Sequence, residues 1–143
     1  MEFKKVIDAA IKQEESSYKL YMRGYKLTTA ISAKQLFNKL AEQELMHKRL
    51  LKNLDLKEAI DFPDGKYESL KLEEELLLTP VNELKEIKEI LKFSIKKEVR
   101  AYKQYFGIAK TLPFGKMKTF FEKLAGEEQK HKELVKQEYR KLF

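Results

Sequence analysis

The chain has 143 residues, 43% of them apolar and 37% charged, with five Gly, three Pro and no Cys. That length suits one domain with a sizeable core, and that balance suits a highly helical protein. The missing Cys excludes disulfides, thiolate chemistry, Cys-ligated zinc and rubredoxin-type iron sites. No apolar run reaches the length of a membrane span. The start, Met1-Glu2-Phe3-Lys4-Lys5, lacks the apolar stretch of a secretory signal, so a cytoplasmic location is expected. The formal charge of +7 reads as a Lys-rich solvated surface. Lysines are spread through every segment and no aromatic-interleaved basic stripe stands out, so neither a nucleic-acid nor a membrane partner is expected. Abundant Lys and Glu also resemble proteins of heat-loving organisms.

Four amphipathic segments follow in chain order. The first is predicted over Phe3 to Leu27, with an apolar seam at Ile7, Ile11, Tyr18, Tyr21 and Tyr25 that keeps helical rhythm once Glu14 is included. The second is predicted over Ala33 to Leu56, with Ser32 as N-cap and Phe37, Leu40, Leu51 and Leu54 as its seam. Glu44 and His47 fill the missing steps of that seam. A stretch of about Lys57 to Thr79 then contains the turn signal Asp61-Phe62-Pro63-Asp64-Gly65, and Leu70 to Leu78 suggests a short helix. Thr79-Pro80 signals the start of the third segment, Val81 to Lys110, with Leu91, Ile95, Tyr102, Tyr105 and Ala109 on its seam and Glu98 completing it. The fourth begins after Pro113 and runs to near Phe143, with Phe121, Leu124 and Val135 flanking Glu128 and His131. Short links within each pair make antiparallel neighbours. The expected fold is therefore all-α: an antiparallel four-helix bundle of two helical hairpins joined by a long crossover, with ferritin-like connectivity.

The chain also repeats itself. Shifted by 84 residues, Glu14 falls on Glu98, Tyr18 on Tyr102, Tyr21 on Tyr105, Glu44 on Glu128 and His47 on His131, without a gap. Of the 59 overlapping positions, 20 are identical. Each repeat carries one Glu and then, 30 residues later, a Glu-x-x-His; both histidines of the chain lie in these motifs. Glu15 and Glu127 are neighbouring candidates, but their repeat mates are Val99 and Gln43. The six repeated polar residues fall on apolar seams. A carboxylate in a bundle core is costly unless protonated, paired or bound to a cation, and four converging would repel one another. Two divalent cations would offset that repulsion. The i, i+3 spacing puts Glu and His on one face, one turn apart, and carboxylate oxygens with imidazole suit iron or manganese.

On these residues the chain resembles the rubrerythrin branch of the ferritin-like di-iron carboxylate superfamily. The carrying segments are Ala10-Ile11-Lys12-Gln13-Glu14, Tyr18 and Tyr21, then Leu40-Ala41-Glu42-Gln43-Glu44-Leu45-Met46-His47, and their repeats from Ile95 to Tyr105 and Leu124 to His131. The resemblance spans all four helices. It implies two iron ions, or manganese, held by Glu14, Glu44, His47, Glu98, Glu128 and His131. It further implies that Tyr21 and Tyr105 hydrogen-bond ligand carboxylates and that Gln43 and Glu127 orient the histidines. A small-molecule oxidant, hydrogen peroxide or O₂, an external electron-donor protein and a homodimer complete the expectation. Two departures stand out. Ala101, with its repeat mate Ser17, occupies the position of a further metal-binding Glu of rubrerythrins, and no Cys-rich rubredoxin segment is present. Twelve residues follow His131, where iron-storing ferritins usually have a fifth short helix. Three readings compete: a redox-active di-iron protein reducing peroxide or O₂, a ferroxidase or iron-binding protein without organic substrate, and a metal-free helical interaction module.

Overall fold

The computed structural model describes residues 2–59 and 84–143. The turn at Asp61 to Gly65, the short helix at Leu70 to Leu78 and the Thr79-Pro80 start signal lie outside them. Among the described residues there are four long helices and no strand: α1 (Glu2–Leu27), α2 (Ile31–Lys52), α3 (Ile87–Thr111) and α4 (Lys116–Leu142), with a 3₁₀ turn at Leu56–Ala59. α1 packs along α2 and α3 along α4, and the two hairpins dock through α1 on α3 and α2 on α4. This is a four-helix, ferritin-like bundle. None of the described helices is long and apolar enough to cross a membrane.

The core is split into two apolar clusters. One joins Phe3, Val6, Ile7 and Ala10 to Leu51, Tyr105, Ile108 and Phe121. The other joins Leu20 and Tyr21 to Phe37, Leu40, Ile90, Leu91 and Val135. Glu14, Ser17, Glu44, His47, Glu98, Glu128 and His131 are buried as well, and in sequence they fall between the two clusters on every helix. The buried stripe of α1 runs through Ala10, Gln13, Glu14, Ser17, Leu20 and Tyr21. Ile11, Tyr18 and Tyr25, read as seam positions, are only partly buried at its margin, as are Ile95 and Tyr102 on α3.

Three boundaries differ from the expected ones, each for a local reason. α2 starts at Ile31, so Ser32 lies inside the helix and does not cap it. The Ala30 N–H is held by Thr28 Oγ1 at 3.1 Å, and the Ser32 hydroxyl instead lies 3.4 Å from Glu138 Oε2 on α4. α2 ends at Lys52 because Asp55 accepts the Lys57 N–H at 3.0 Å, a side-chain-to-backbone bond that competes with helix. α3 starts at Ile87: Arg23 Nε donates to the Leu84 carbonyl at 3.2 Å, and Glu86 is extended. At the entry to α4, Gly115 has φ of +148°, a conformation that L side chains rarely adopt.

Two helical glycines make opposite predictions. A Cβ on Gly24 would lie 2.7 Å from the Phe37 ring, whereas a Cβ on Gly126 meets nothing within 4 Å. Gly126→Ala should stabilise by ~0.5–1 kcal/mol through helix propensity. Gly24→Ala should destabilise by ~1–3 kcal/mol, because overpacking outweighs that gain. Urea unfolding of the two variants checks this, and equal stabilisation by both would mean Phe37 is not packed against Gly24.

Candidate metal centre

Each helix contributes to the buried polar layer from its middle turns: Glu14 from α1, Glu44 and His47 from α2, Glu98 from α3, and Glu128 and His131 from α4. Their potential ligand atoms form two groups, each within 4.8 Å. Glu14, Glu44, His47 and Glu128 make one; Glu44, Glu98, Glu128 and His131 make the other. Glu44 and Glu128 are common to both, so each hairpin supplies one shared carboxylate. The two imidazoles stack with centroids 5.9 Å apart and planes 13° from parallel.

The outer edges of this cluster are tied down by hydrogen bonds that cross between the hairpins. The Tyr21 hydroxyl donates to Glu98 and the Tyr105 hydroxyl to Glu14. His47 Nε2 meets the Glu127 carboxylate, and His131 Nε2 lies 2.6 Å from Gln43 Oε1. With Nε2–H donating outward, each Nδ1 faces inward and can ligate a cation once its proton has left. There, His47 Nδ1 is 3.0 Å from Glu128 Oε1 and His131 Nδ1 is 2.9 Å from Glu44 Oε1. These contacts are close but do not have hydrogen-bond geometry. Both Nδ1 atoms, both oxygens of Glu44 and of Glu128, and the inner oxygens of Glu14 and Glu98 are buried with no hydrogen-bond partner. Buried polar atoms are rarely left so. Eight converging on one place fit cations: four carboxylates and two imidazoles match two divalent ions in charge, and hard oxygen with imidazole suits iron or manganese. Glu15, by contrast, pairs with Lys48 at the surface, at 3.1 Å.

Without cations the cluster must hold protons. Burial, then the charges of Glu14 and Glu98, push the Glu44 carboxyl well above the usual carboxylate range; burial and the same crowding do so at Glu128. Burial alone would raise Glu14 too, but its hydrogen bonds and the His47 charge outweigh that and hold it below the usual value. Burial pulls both imidazoles down, yet Glu127, Glu128 and Glu14 push His47 up, and Glu98 and Glu128 push His131 up. The Tyr21 and Tyr105 phenols are raised by burial and by the adjacent carboxylates, so both keep their protons.

Lys97 is a buried neighbour of the cluster that pattern reading missed. Read as one of many surface lysines, it is only 1% exposed. Its Nζ donates to Ser16 Oγ at 2.9 Å, and its carbonyl accepts from Gln13 Nε2 at 3.3 Å. Burial pulls its ammonium down to about 8, against the opposing pull of the four cluster glutamates. A signal was available: its repeat mate is Gln13, and both precede a repeated Glu on the buried stripe. Ala101 and Ser17 are also buried, at 1% and 3% exposure, and bring no carboxylate to the cluster.

The fold and the cluster define a ferritin-like helical protein with a carboxylate–histidine centre. The rubrerythrin family model matches residues 89–143, the stretch that carries Glu98, Tyr105, Glu128 and His131. The chain is rubrerythrin-like over that stretch, and the resemblance read from its sequence holds there. No curated protein and no solved structure matches it.

The protonation pattern sets a sign. The metal-free cluster carries protons on Glu44, Glu128 and the imidazoles that a bound cation must displace. Affinity for Mn(II) should therefore rise with pH across the range in which these groups titrate, and binding should release protons. Calorimetry in buffers of different ionisation enthalpy checks this; uptake with no proton release would show that the cluster is already fully deprotonated.

Proposed function

We propose that this protein is a di-iron carboxylate reductase of hydrogen peroxide, fed by an external electron donor. The observation that carries the reading is the doubled ligand cluster: two four-residue groups sharing Glu44 and Glu128, with their inner atoms unpartnered. Glu14 and His47 would hold one ion and Glu98 and His131 the other, with Glu44 and Glu128 available to both. When bound, two Fe(II) ions supply two electrons and the Lewis acidity that polarises an O–O bond. Two electrons and two protons turn one hydrogen peroxide into two waters.

The chain's own residues set the conditions. Tyr21 and Tyr105 keep their protons and fix Glu98 and Glu14. Glu127 and Gln43 fix the two imidazoles with Nδ1 inward. The two apolar clusters close the layer from both ends and exclude water. A ferroxidase reading, with O₂ as oxidant, draws support from Ala101 and Ser17: neither offers an extra carboxylate when the charge of the centre changes. A metal-free module would leave eight buried ligand atoms to be neutralised by protons alone, which costs a bundle stability.

Anaerobic Fe(II) titration should saturate near two ions per chain, and the metal should raise the melting temperature. Glu44→Ala or Glu128→Ala should weaken both sites, Glu14→Ala or Glu98→Ala mainly one, and Glu15→Ala neither. Saturation at zero or one ion sinks the dinuclear proposal. In stopped-flow mixing, the Fe(II)-loaded protein should be oxidised faster by hydrogen peroxide than by O₂; a clear win for O₂ replaces the peroxidase reading with the ferroxidase one.

A further inference from the structure

We propose that the outward face of α3 is the docking site for an acidic protein that carries a one-electron centre and reduces the di-iron site. This rests on the redox reading above and names its electron source. Lys92, Lys96, Lys103, Phe106 and Lys110 are all exposed and recur at steps of four, seven, three and four, one stripe along the helix. Composition suggested no such basic and aromatic stripe; it emerges only when the buried positions of α3 are subtracted. Between Glu89 and Glu122 the only acidic residue is Glu98, and it is turned into the polar layer. Glu89, exposed on the first turn of α3, offsets Lys92, but from Lys96 to Lys110 no carboxylate of α3 offsets these lysines at the surface.

Phe106 is 42% exposed. Its ring stacks on Tyr102, with centroids 5.8 Å apart and planes 10° from parallel, and Lys110 Nζ lies 4.8 Å over its face. A large ring held flat in water among cations is the composition of an interface centre with a charged rim. The face also leads to the centre. Phe106 is peptide-bonded to Tyr105, whose hydroxyl donates to Glu14, and Tyr102 lies one turn from Glu98. A second copy of the chain would bring its own excess of positive charge to this face, so self-pairing is disfavoured there. An acidic partner is attracted. These 143 residues hold no Cys for an iron–sulfur cluster, and a separate one-electron donor fits the redox reading. Two donor molecules, each oxidised by one electron, balance the reduction of one peroxide to two waters.

The test uses the iron-loaded protein after oxidation by peroxide. It is mixed without oxygen with a reduced, strongly acidic [2Fe–2S] ferredoxin, and separately with the cationic reductant hexaammineruthenium(II). The double variant Lys103→Glu/Lys110→Glu should slow reduction by ferredoxin on the order of tenfold or more at low salt and flatten its salt dependence. Phe106→Ala should weaken ferredoxin binding measured by calorimetry. The ruthenium reaction should be no slower in either variant, since added negative charge attracts a cation, and oxidation by peroxide should be unaffected. An equal loss in the remote control Lys39→Glu/Lys130→Glu overturns the proposal, as does equal slowing of the ruthenium reaction. A change of mass by light scattering in the Lys103→Glu/Lys110→Glu variant would make the face an interface between copies instead. Binding of a short DNA duplex through these lysines, with ferredoxin unaffected, would make it a nucleic-acid surface. Failure of wild-type oxidation by peroxide sinks the functional reading but leaves the calorimetric binding result to stand by itself.

Discussion

Everything in this bundle is organised around the repulsion among four buried carboxylates. Glu14, Glu44, Glu98 and Glu128 are each at most 1% exposed, and they meet in one layer. Burying one charge in low dielectric is costly, and burying four together multiplies the cost. The rest of the structure can be read as its containment. Apolar clusters sit on either side, tyrosine hydroxyls take up the outer oxygens of Glu14 and Glu98, and the imidazoles stand between carboxylates. What that containment omits is equally informative. The inner oxygens and both Nδ1 atoms satisfy nothing within the protein, so the arrangement is complete only with positive charge inside it.

The outer hydrogen bonds also couple the centre to the tertiary fold. Tyr21 on α1 reaches Glu98 on α3, and Tyr105 on α3 reaches Glu14 on α1. His47 on α2 is held by Glu127 on α4, and His131 on α4 by Gln43 on α2. Each of these bonds crosses from one hairpin to the other, so neither hairpin alone orients its own ligands. Docking of the hairpins is therefore coupled to assembly of the site, and a cation that binds only the assembled form adds its binding free energy to folding.

Much of this was legible in the sequence because the repeat made it so. One Glu-x-x-His arises easily by chance; two in register, each with an upstream Glu at equal spacing, restrict both the fold and the residues that meet. The four helices follow from apolar periodicity, since burial of one stripe per helix is what holds them together. Where pattern reading fell short, a side chain competed with the backbone or with its apparent class. Asp55 ends α2 early, Arg23 captures the Leu84 carbonyl ahead of α3, and Thr28 takes the N–H that placed the start of α2 before Ser32. Lys97 was hidden because composition assigns lysine to solvent; only the angular position of its repeat mate Gln13 marks it as interior. The basic stripe of α3 was hidden for the opposite reason, since its lysines look like all the others until Glu98 is known to be turned inward.

The same repeat shows where the two halves have parted, and those places are electrostatic. Behind His47 stands Glu127, an acid held below its usual value by that imidazole; behind His131 stands its repeat mate Gln43, which is neutral. Lys97 places a buried cation on the residue before Glu98, while Gln13 places an amide before Glu14. The Lys97 ammonium reaches across to Ser16 on α1 and feels all four glutamates, so the one-sided difference is the acid behind His47, which makes that side the more negative. A carboxylate behind a ligand imidazole raises its basicity, and a nearby ammonium opposes further positive charge. Two cations bound here would therefore experience different fields, although their immediate ligands are the same in kind: one terminal Glu, one His and two shared carboxylates. The duplication supplies a symmetric ligand set, and the neutral-for-charged exchanges around it make its two halves unequal.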